Sequence, residues 1–238
     1  FGERIRLWCA DQWMRAGEPV VHYVELGPGR GTLAADAVRA GRKFGFTPNV
    51  HFVETSPTLR NMQSAAVPDA VHHDGIETLP HDGPMLIIAN EFFDALPIRQ
   101  LEMTAAGWRD RRVSHNGDDV ATGYTIVHGD TDMSHAVPPP MRDAPLGSVY
   151  ENAPAGAAIL YELAERLSRQ GGAMLVVDYG HARPGYGDTL QAVKAHGFAS
   201  VFDHPGEHDL TAHVNFAELP AVARAQGLRV AGPATQGA

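Results

Sequence analysis

Three glycines, Gly27, Gly29 and Gly31, stand between two carboxylates, Glu25 and Glu54, and this set gives the chain its first chemical possibility. The glycines close the run VVHYVELGPGRG at Val20–Gly31, where β-branched and aromatic residues read as a buried parallel strand entering a tight turn. Glycine tolerates left-handed dihedrals, so the turn can bend sharply under a ligand. The helix expected from Thr32 would then direct its amide end at that ligand. The GxGxG spacing is not the GxGxxG dinucleotide fingerprint, because Thr32 occupies the place of the third glycine.

Glu25 sits two positions before the first glycine, where a carboxylate can hold an ammonium group through water or backbone contacts. Glu54 ends the run VHFVE, about one strand–helix–strand unit later, where a carboxylate can accept hydrogen bonds from both hydroxyls of a ribose. The turn alone reads equally well as a tight strand–helix loop. With Glu54 at that distance it reads as a nucleoside site, and the pairing favours S-adenosylmethionine over NAD. Asp74 and Gly75 follow the next strand candidate, Val67–His73, and are either an adenine contact or a plain turn.

A second group lies at the end of MLIIAN, Met85–Asn90, a continuous apolar run that reads as a fourth buried strand. It delivers Asn90, Glu91, Phe92, Phe93 and Asp94 to the edge where open α/β sheets bind ligands. The carboxylates face a substrate or cap a helix, and each phenylalanine either walls a channel or belongs to the core. A fifth strand at Ala173–Val177 brings Asp178 and Tyr179 to the same edge. The late histidines His196, His204, His208 and His213 make a poor metal site, since Pro205 and Gly206 interrupt helical spacing and no cysteine completes a ligand set.

The elements that must position these residues follow from periodicity. Ile5, Cys9 and Trp13 recur at helical spacing before Gly17. After the glycine turn, Leu33, Ala37, Val38, Gly41 and Phe44 form an inward stripe. Ser56 and Pro57 open another helix through Ala66, and Ala155–Gln170 is amphipathic, with Gly171 as its stop. Between about Arg99 and Pro145 alternation and the Ala106–Gly107 and Asn116–Gly117 turns indicate antiparallel ribbons, an insertion without a core of its own in one domain spanning 1–238. Asn215 with Glu218 suggests a capping box, and Leu228–Ala231 a sixth strand.

At 238 residues and 44% apolar content the chain can fill one large α/β core. A net charge of −9, with no basic cluster longer than Arg109–Arg112, argues against nucleic acid and anionic membrane surfaces. No apolar run reaches the roughly 20 residues of a membrane span. Single Cys9 excludes an internal disulfide framework and suits a reducing compartment. The chain begins at Phe1 without a methionine, so it reads as an internal piece of a longer polypeptide, truncated at both ends.

Five blocks together resemble the MidA-like family of S-adenosylmethionine-dependent methyltransferases: ELGPGRGTL, HFVETSPTLRNMQ, ANEFFDALPIRQ, VVDYG, and GDTLQA with DLTAHVNF. The resemblance spans nearly the whole chain. It implies a Rossmann-like class I methyltransferase fold, with a central, mostly parallel sheet, helices on both faces and the β-rich insertion. It places the amino-acid end of S-adenosylmethionine near Glu25, Gly27, Pro28, Gly29 and Gly31, its ribose at Glu54, its adenine near Asp74 and Gly75, and the reacting methyl beside Asn90. No metal is implied. Glu91 and Asp94 become candidates to clamp a substrate guanidinium, Phe92 and Phe93 to wall its channel, and Asp178 and Tyr179 to contact substrate. Asn215 stands where the family pattern leads one to expect an aspartate.

The family includes a mitochondrial complex I assembly factor that methylates an arginine of a core subunit. The resemblance therefore implies a protein substrate, possibly of that kind in the matrix of mitochondria, or in the cytoplasm of a bacterium. A cofactor-binding assembly module without turnover and a small-molecule methyltransferase, with Arg99–Pro145 as its lid, are the alternatives.

Overall fold

The computed structural model describes residues 2–117, 123–194 and 197–235. The chain divides into two compact units: Phe1–Phe93 with Ile159–Asp178 and Val222–Val230, and Asp94–Ala158 with Tyr179–Ala221 and Ala231–Ala238. In chain order the main elements are α1 (Gly2–Arg15), β1 (His22–Leu26), α2 (Thr32–Gly41), β2 (Asn49–Val53), α3 (Pro57–Ala66), β3 (Val71–His73) and β4 (Met85–Asn90). There follow β5 (Arg99–Thr104), β6 (Gly107–His115), β7 (Tyr124–His128), β8 (Val149–Asn152), α4 (Pro154–Gln170) and β9 (Gly172–Val177).

The first unit is built on a parallel sheet of order β3-β2-β1-β4-β9. Alternation along each strand sorts its side chains into rows. Val50, Tyr23, Leu86 and Ala173 lie side by side, as do Phe52, Glu25, Ile88 and Leu175. The apolar members of these rows pack with Ile5, Cys9 and Trp13 of α1 and with Ala34 and Ala37 of α2 in one core. The register thus buries Glu25, at 3% exposure, beneath the start of α2. On α4, Leu160, Leu163, Ala164 and Leu167 are buried, and buried Arg166 donates to the carbonyls of Glu77 and Leu79. Because β1 lies between β2 and β4, the chain order reverses there, and the carboxyl ends of the strands at such a reversal are the usual ligand edge of open α/β sheets.

Several expectations are corrected. Val20 is 80% exposed and β1 begins only at His22. Phe44 is likewise exposed, since α2 ends in a 3-10 turn over Arg42–Phe44. Phe46 enters the core instead, against Gly41 and edge-on to Trp13. The third strand is only Val71–His73. Asn215 belongs to a strand, Val214–Asn215, while Glu218 accepts from the Tyr150 hydroxyl at 2.8 Å, so no capping box forms. The next helix runs Leu219–Ala225, which puts Pro220 harmlessly in its first turn. Leu228–Ala231 forms no strand.

The second unit contains an antiparallel sheet of order β7-β6-β5-β8. Contrary to the expectation of a coreless insertion, it buries Leu101, Trp108, Met133, Val137, Met141 and Tyr150 in a cluster. Gln100 Nε2 donates to both Glu151, at 2.7 Å, and Asp188, at 2.8 Å, and Arg111 also pairs with Asp188. Gln191–Lys194 lies between Gly197–Ala199 and Asp209–Thr211 in a smaller sheet. His196 lies outside the described residues.

Candidate active site

The glycine turn has the geometry its sequence requires. Gly27, Gly29 and Gly31 adopt φ values of 58°, 54° and 74°, in the left-handed region that side chains disfavour. Gly27 N–H donates to the Val53 carbonyl and Gly31 N–H to the Pro28 carbonyl, so the turn is anchored on β2 and on itself. Gly31, the N-cap of α2, supplies no side-chain cap. Apart from the Ala34 N–H, which the Glu25 carboxyl takes, such a helix start offers its first amides to an acidic ligand group.

Glu25 does not lie open beside the turn. Its Oε2 accepts from the Tyr23 hydroxyl at 3.0 Å, and it also accepts from the Ala34 N–H of α2. Burial pushes this carboxyl up from 4.5 to about 7, against the opposing pull of those two hydrogen bonds. The same burial, with the nearby Glu25 charge, pushes the Tyr23 hydroxyl and the Cys9 thiol up as well. From this position Glu25 supports the floor of the turn through strand and helix.

Glu54 follows β2 and is half-buried. Its Oε1 accepts from Ser56 N–H at 2.8 Å and its Oε2 from Gln63 Nε2 at 3.3 Å. A carboxylate has about four acceptor positions, so both oxygens retain capacity for ribose hydroxyls. Asp74, after β3, is ion-paired with Arg60 at 2.7 Å, and Arg60 also holds the Glu54 carbonyl. Gly75 is extended, with the Glu77 carboxylate over the place a Cβ would take.

At the end of β4, half-buried Asn90 pairs with Val177 of β9. Glu91 is exposed, donates its N–H to the Val177 carbonyl, and takes φ 47°. This left-handed conformation in a glutamate is a local strain of about 1–2 kcal/mol, of a kind that clusters at functional sites. Phe92 covers the glycine turn: a Cβ on Gly27 would lie 3.2 Å from its ring. Phe93 meets Phe92 edge-on at 5.4 Å and is buried, and its N–H donates to Asp178 Oδ2 at 3.0 Å.

The first unit therefore brings together the glycine turn, Glu54, Asn90–Phe93 and Asp178 at the carboxyl ends of β1, β2, β4 and β9. Asp94 and Tyr179 belong to the second unit. There Asp94 is 6% exposed and gives its carbonyl to Ala212 N–H, and exposed Tyr179 gives its own to Val214 N–H.

Sequence reasoning missed several residues. Gln63 and Arg60 connect Gly29, Glu54 and Asp74, which lie at the strand ends, to one another. His22, His51 and His73, on adjacent strands, form a buried chain with N···N separations of 3.0 Å at both links, running on to Thr78. A polar residue at an inward strand position was the available signal for these histidines.

A family model described as "Putative S-adenosyl-L-methionine-dependent methyltransferase" matches residues 5–234. Protein arginine methyltransferase NDUFAF7, mitochondrial, of Xenopus tropicalis is 34% identical over 99% of this chain and 61% of its own length. The Drosophila melanogaster homologue of that enzyme is 31% identical over 100% and 61% respectively. The chain thus spans about three-fifths of the length of these relatives. A solved structure from Burkholderia thailandensis, bound to S-adenosyl-homocysteine, shares the fold, with a TM-score of 0.78, 24% identity, and coverage of 95% of this chain and 60% of that one. The chain belongs to this family of S-adenosyl-L-methionine-dependent methyltransferases.

Proposed function

We propose that this member of the family binds S-adenosylmethionine over the Gly27–Gly31 turn and directs methyl transfer to an arginine of a protein partner, a respiratory complex I subunit or a similar protein. The observation that carries the proposal is the convergence of the glycine turn, Glu54 and the strained Glu91–Phe92 segment at one sheet edge. The residues present fit the cofactor: a helix start with a glycine N-cap for a carboxylate, a paired but unsaturated glutamate for a ribose, and an aromatic ring over the turn. The names of the relatives support a protein arginine as substrate. Their mitochondrial designation supports the matrix as the site of action in a eukaryote, with the cytoplasm as its bacterial counterpart.

When bound, the cofactor supplies an electrophilic methyl group on a sulfonium sulfur. A guanidinium is protonated and delocalised at neutral pH, so its N–H groups must be held for one nitrogen to face the methyl. Glu91, exposed beyond β4, accepts those N–H groups and takes the proton that the nitrogen loses. Phe92 excludes water and presents a π face to cationic groups. Asp178 fixes this segment through the Phe93 N–H.

The test is to incubate the full-length protein with labelled S-adenosylmethionine and a lysate of its own organism, with Glu91→Gln as control. Label on one protein band, lost in the variant, is the expected result, and its mass identifies the partner. Cofactor binding without label on protein would replace this reading with an assembly module or a small-molecule enzyme.

A further inference from the structure

α3 is an unusual helix, because its one buried side chain is polar. Gln63 is fully buried, while Asn61, Met62, Ser64, Ala65 and Ala66 around it are exposed. Burying an amide is costly unless its hydrogen bonds are replaced, so its partners explain why it is there. Gln63 Nε2 donates to the Gly29 carbonyl at 2.7 Å and to Glu54 Oε2 at 3.3 Å, and Oε1 lies 3.1 Å from His72 Nε2. The chemistry of the partners fixes which way the amide faces. A carbonyl and a carboxylate only accept, so the NH2 must point at them, and His72 is the partner able to donate to the oxygen.

Gln63 thereby joins two pieces of the cradle that are far apart in sequence. Gly29 lies between two other left-handed glycines, inside the turn closed by Gly31 N–H on the Pro28 carbonyl, and its own carbonyl is held by Gln63. Glu54 has one oxygen held by Ser56, and Gln63 holds the other. The approach is close: a Cβ on Gly31 would lie 3.3 Å from Gln63 Cα and Cγ, so Gly31 is what lets α3 come this near to the turn.

We propose that Gln63 is a positioning residue of the cofactor site, which holds the glycine turn and the Glu54 carboxylate at a fixed separation and so makes binding depend on an intact ribose diol. The inference rests on the reading of the turn and Glu54 as the cofactor cradle. It adds a specificity-setting residue that makes no contact with the reacting atoms.

The experiment is calorimetric titration of the full chain with S-adenosylhomocysteine and with its 2′,3′-dideoxy analogue. Wild type, Gln63→Leu and Gln63→Glu are compared. In Gln63→Leu, which keeps most of the packing volume, affinity for S-adenosylhomocysteine falls by about 10-fold or more, as expected for losing hydrogen bonds to a charged partner. The analogue loses much less, so the preference of the wild type for the hydroxylated ligand collapses. In Gln63→Glu the new carboxylate faces Glu54, so binding is weak at high pH and recovers as the pH falls and the new carboxyl gains a proton. This second variant decides the matter if the leucine variant does not fold.

Equal losses for both ligands would mark Gln63 as merely structural and overturn the proposal, as would wild-type affinities in Gln63→Leu or a flat pH profile in Gln63→Glu. If the wild type binds S-adenosylhomocysteine but shows no preference over the analogue, this inference fails and the cofactor assignment stands. If the wild type binds neither, both fail together.

Discussion

Replacing Glu25 by Gln should uncover a rise in the stability of the first unit with pH that Glu25 offsets in the wild type. The Glu25 carboxyl sits at about 7 in the folded chain against 4.5 for an ordinary glutamate. Between these values the folded state holds a proton that the unfolded state has released, so stability falls as the pH rises. The contribution is complete below 4.5 and gone above about 7. It amounts to a slope of about 1.4 kcal/mol per pH unit and about 3 kcal/mol in all. His51 works in the opposite sense. Burial first, then the neighbouring His22 and His73, push it down from 6.5 to about 4, so its contribution is complete above 6.5 and is lost as the pH falls toward 4. His73, also lowered by burial, adds in the same direction as His51. Over the shared window Glu25 and His51 nearly cancel, which masks both in the wild type. Glu25→Gln retains an acceptor for the Tyr23 hydroxyl but no titration, and so uncovers a stability that climbs with pH between about pH 5 and 6.5, with His51 alone supplying roughly 1 kcal/mol per pH unit. Native-state hydrogen exchange of the β1 amides, corrected for intrinsic exchange rates, measures that slope without interference from any constant loss of stability in the variant. Parallel profiles for wild type and Glu25→Gln would refute the reasoning, because they would mean that Glu25 titrates alike in the folded and unfolded chain.

Two further substitutions test the geometry at separate points. Gly27→Ala forces a side chain into φ 58° and sets its Cβ 3.2 Å from Phe92, and should lower urea stability by about 1–2 kcal/mol while weakening S-adenosylhomocysteine binding. Unchanged values of both would mean that the turn relaxes freely. Trp108→Ala empties a site with 1% exposure and removes the Nε1 hydrogen bond to the Arg142 carbonyl. Urea unfolding of the second unit should show a loss of about 3–5 kcal/mol, and a loss below about 1 kcal/mol would show that its cluster is not a close-packed core.

The parts of this molecule that were legible in the sequence are those in which one local signal fixes the conformation. MLIIAN became β4 at the expected residues because a short apolar run with a polar end has few other uses in an α/β sheet. Ser56 and Pro57 opened α3 as expected, with Ser56 Oγ accepting from Leu59 N–H. Where two outcomes were locally similar, the neighbouring chain decided. Phe44 and Phe46 both follow α2, and the 3-10 turn turns the first out and lets the second pack on Gly41. Asn215 has a capping residue's chemistry but pairs as a strand with His181.

The polar residues of the sheet escaped local reading for a further reason: the meaning of each lies in a partner distant in sequence. The histidine chain makes the point. The Asp82 carbonyl can only accept, so the 2.7 Å contact from His22 requires hydrogen on its Nε2 and leaves its Nδ1 to accept. His51 must then donate from Nε2 across 3.0 Å, and His73 must do the same toward His51 Nδ1. The row ends at Thr78, whose Oγ1 lies 2.8 Å from His73 Nδ1 and donates to the Gly75 carbonyl. The carbonyl of Asp82 thus fixes a hydrogen on His22 Nε2 at one end of a row of three rings. The row terminates in the Gly75–Thr78 turn, next to Asp74 at the proposed adenine edge, so a buried line of sheet side chains and the ligand edge are joined by hydrogen bonds.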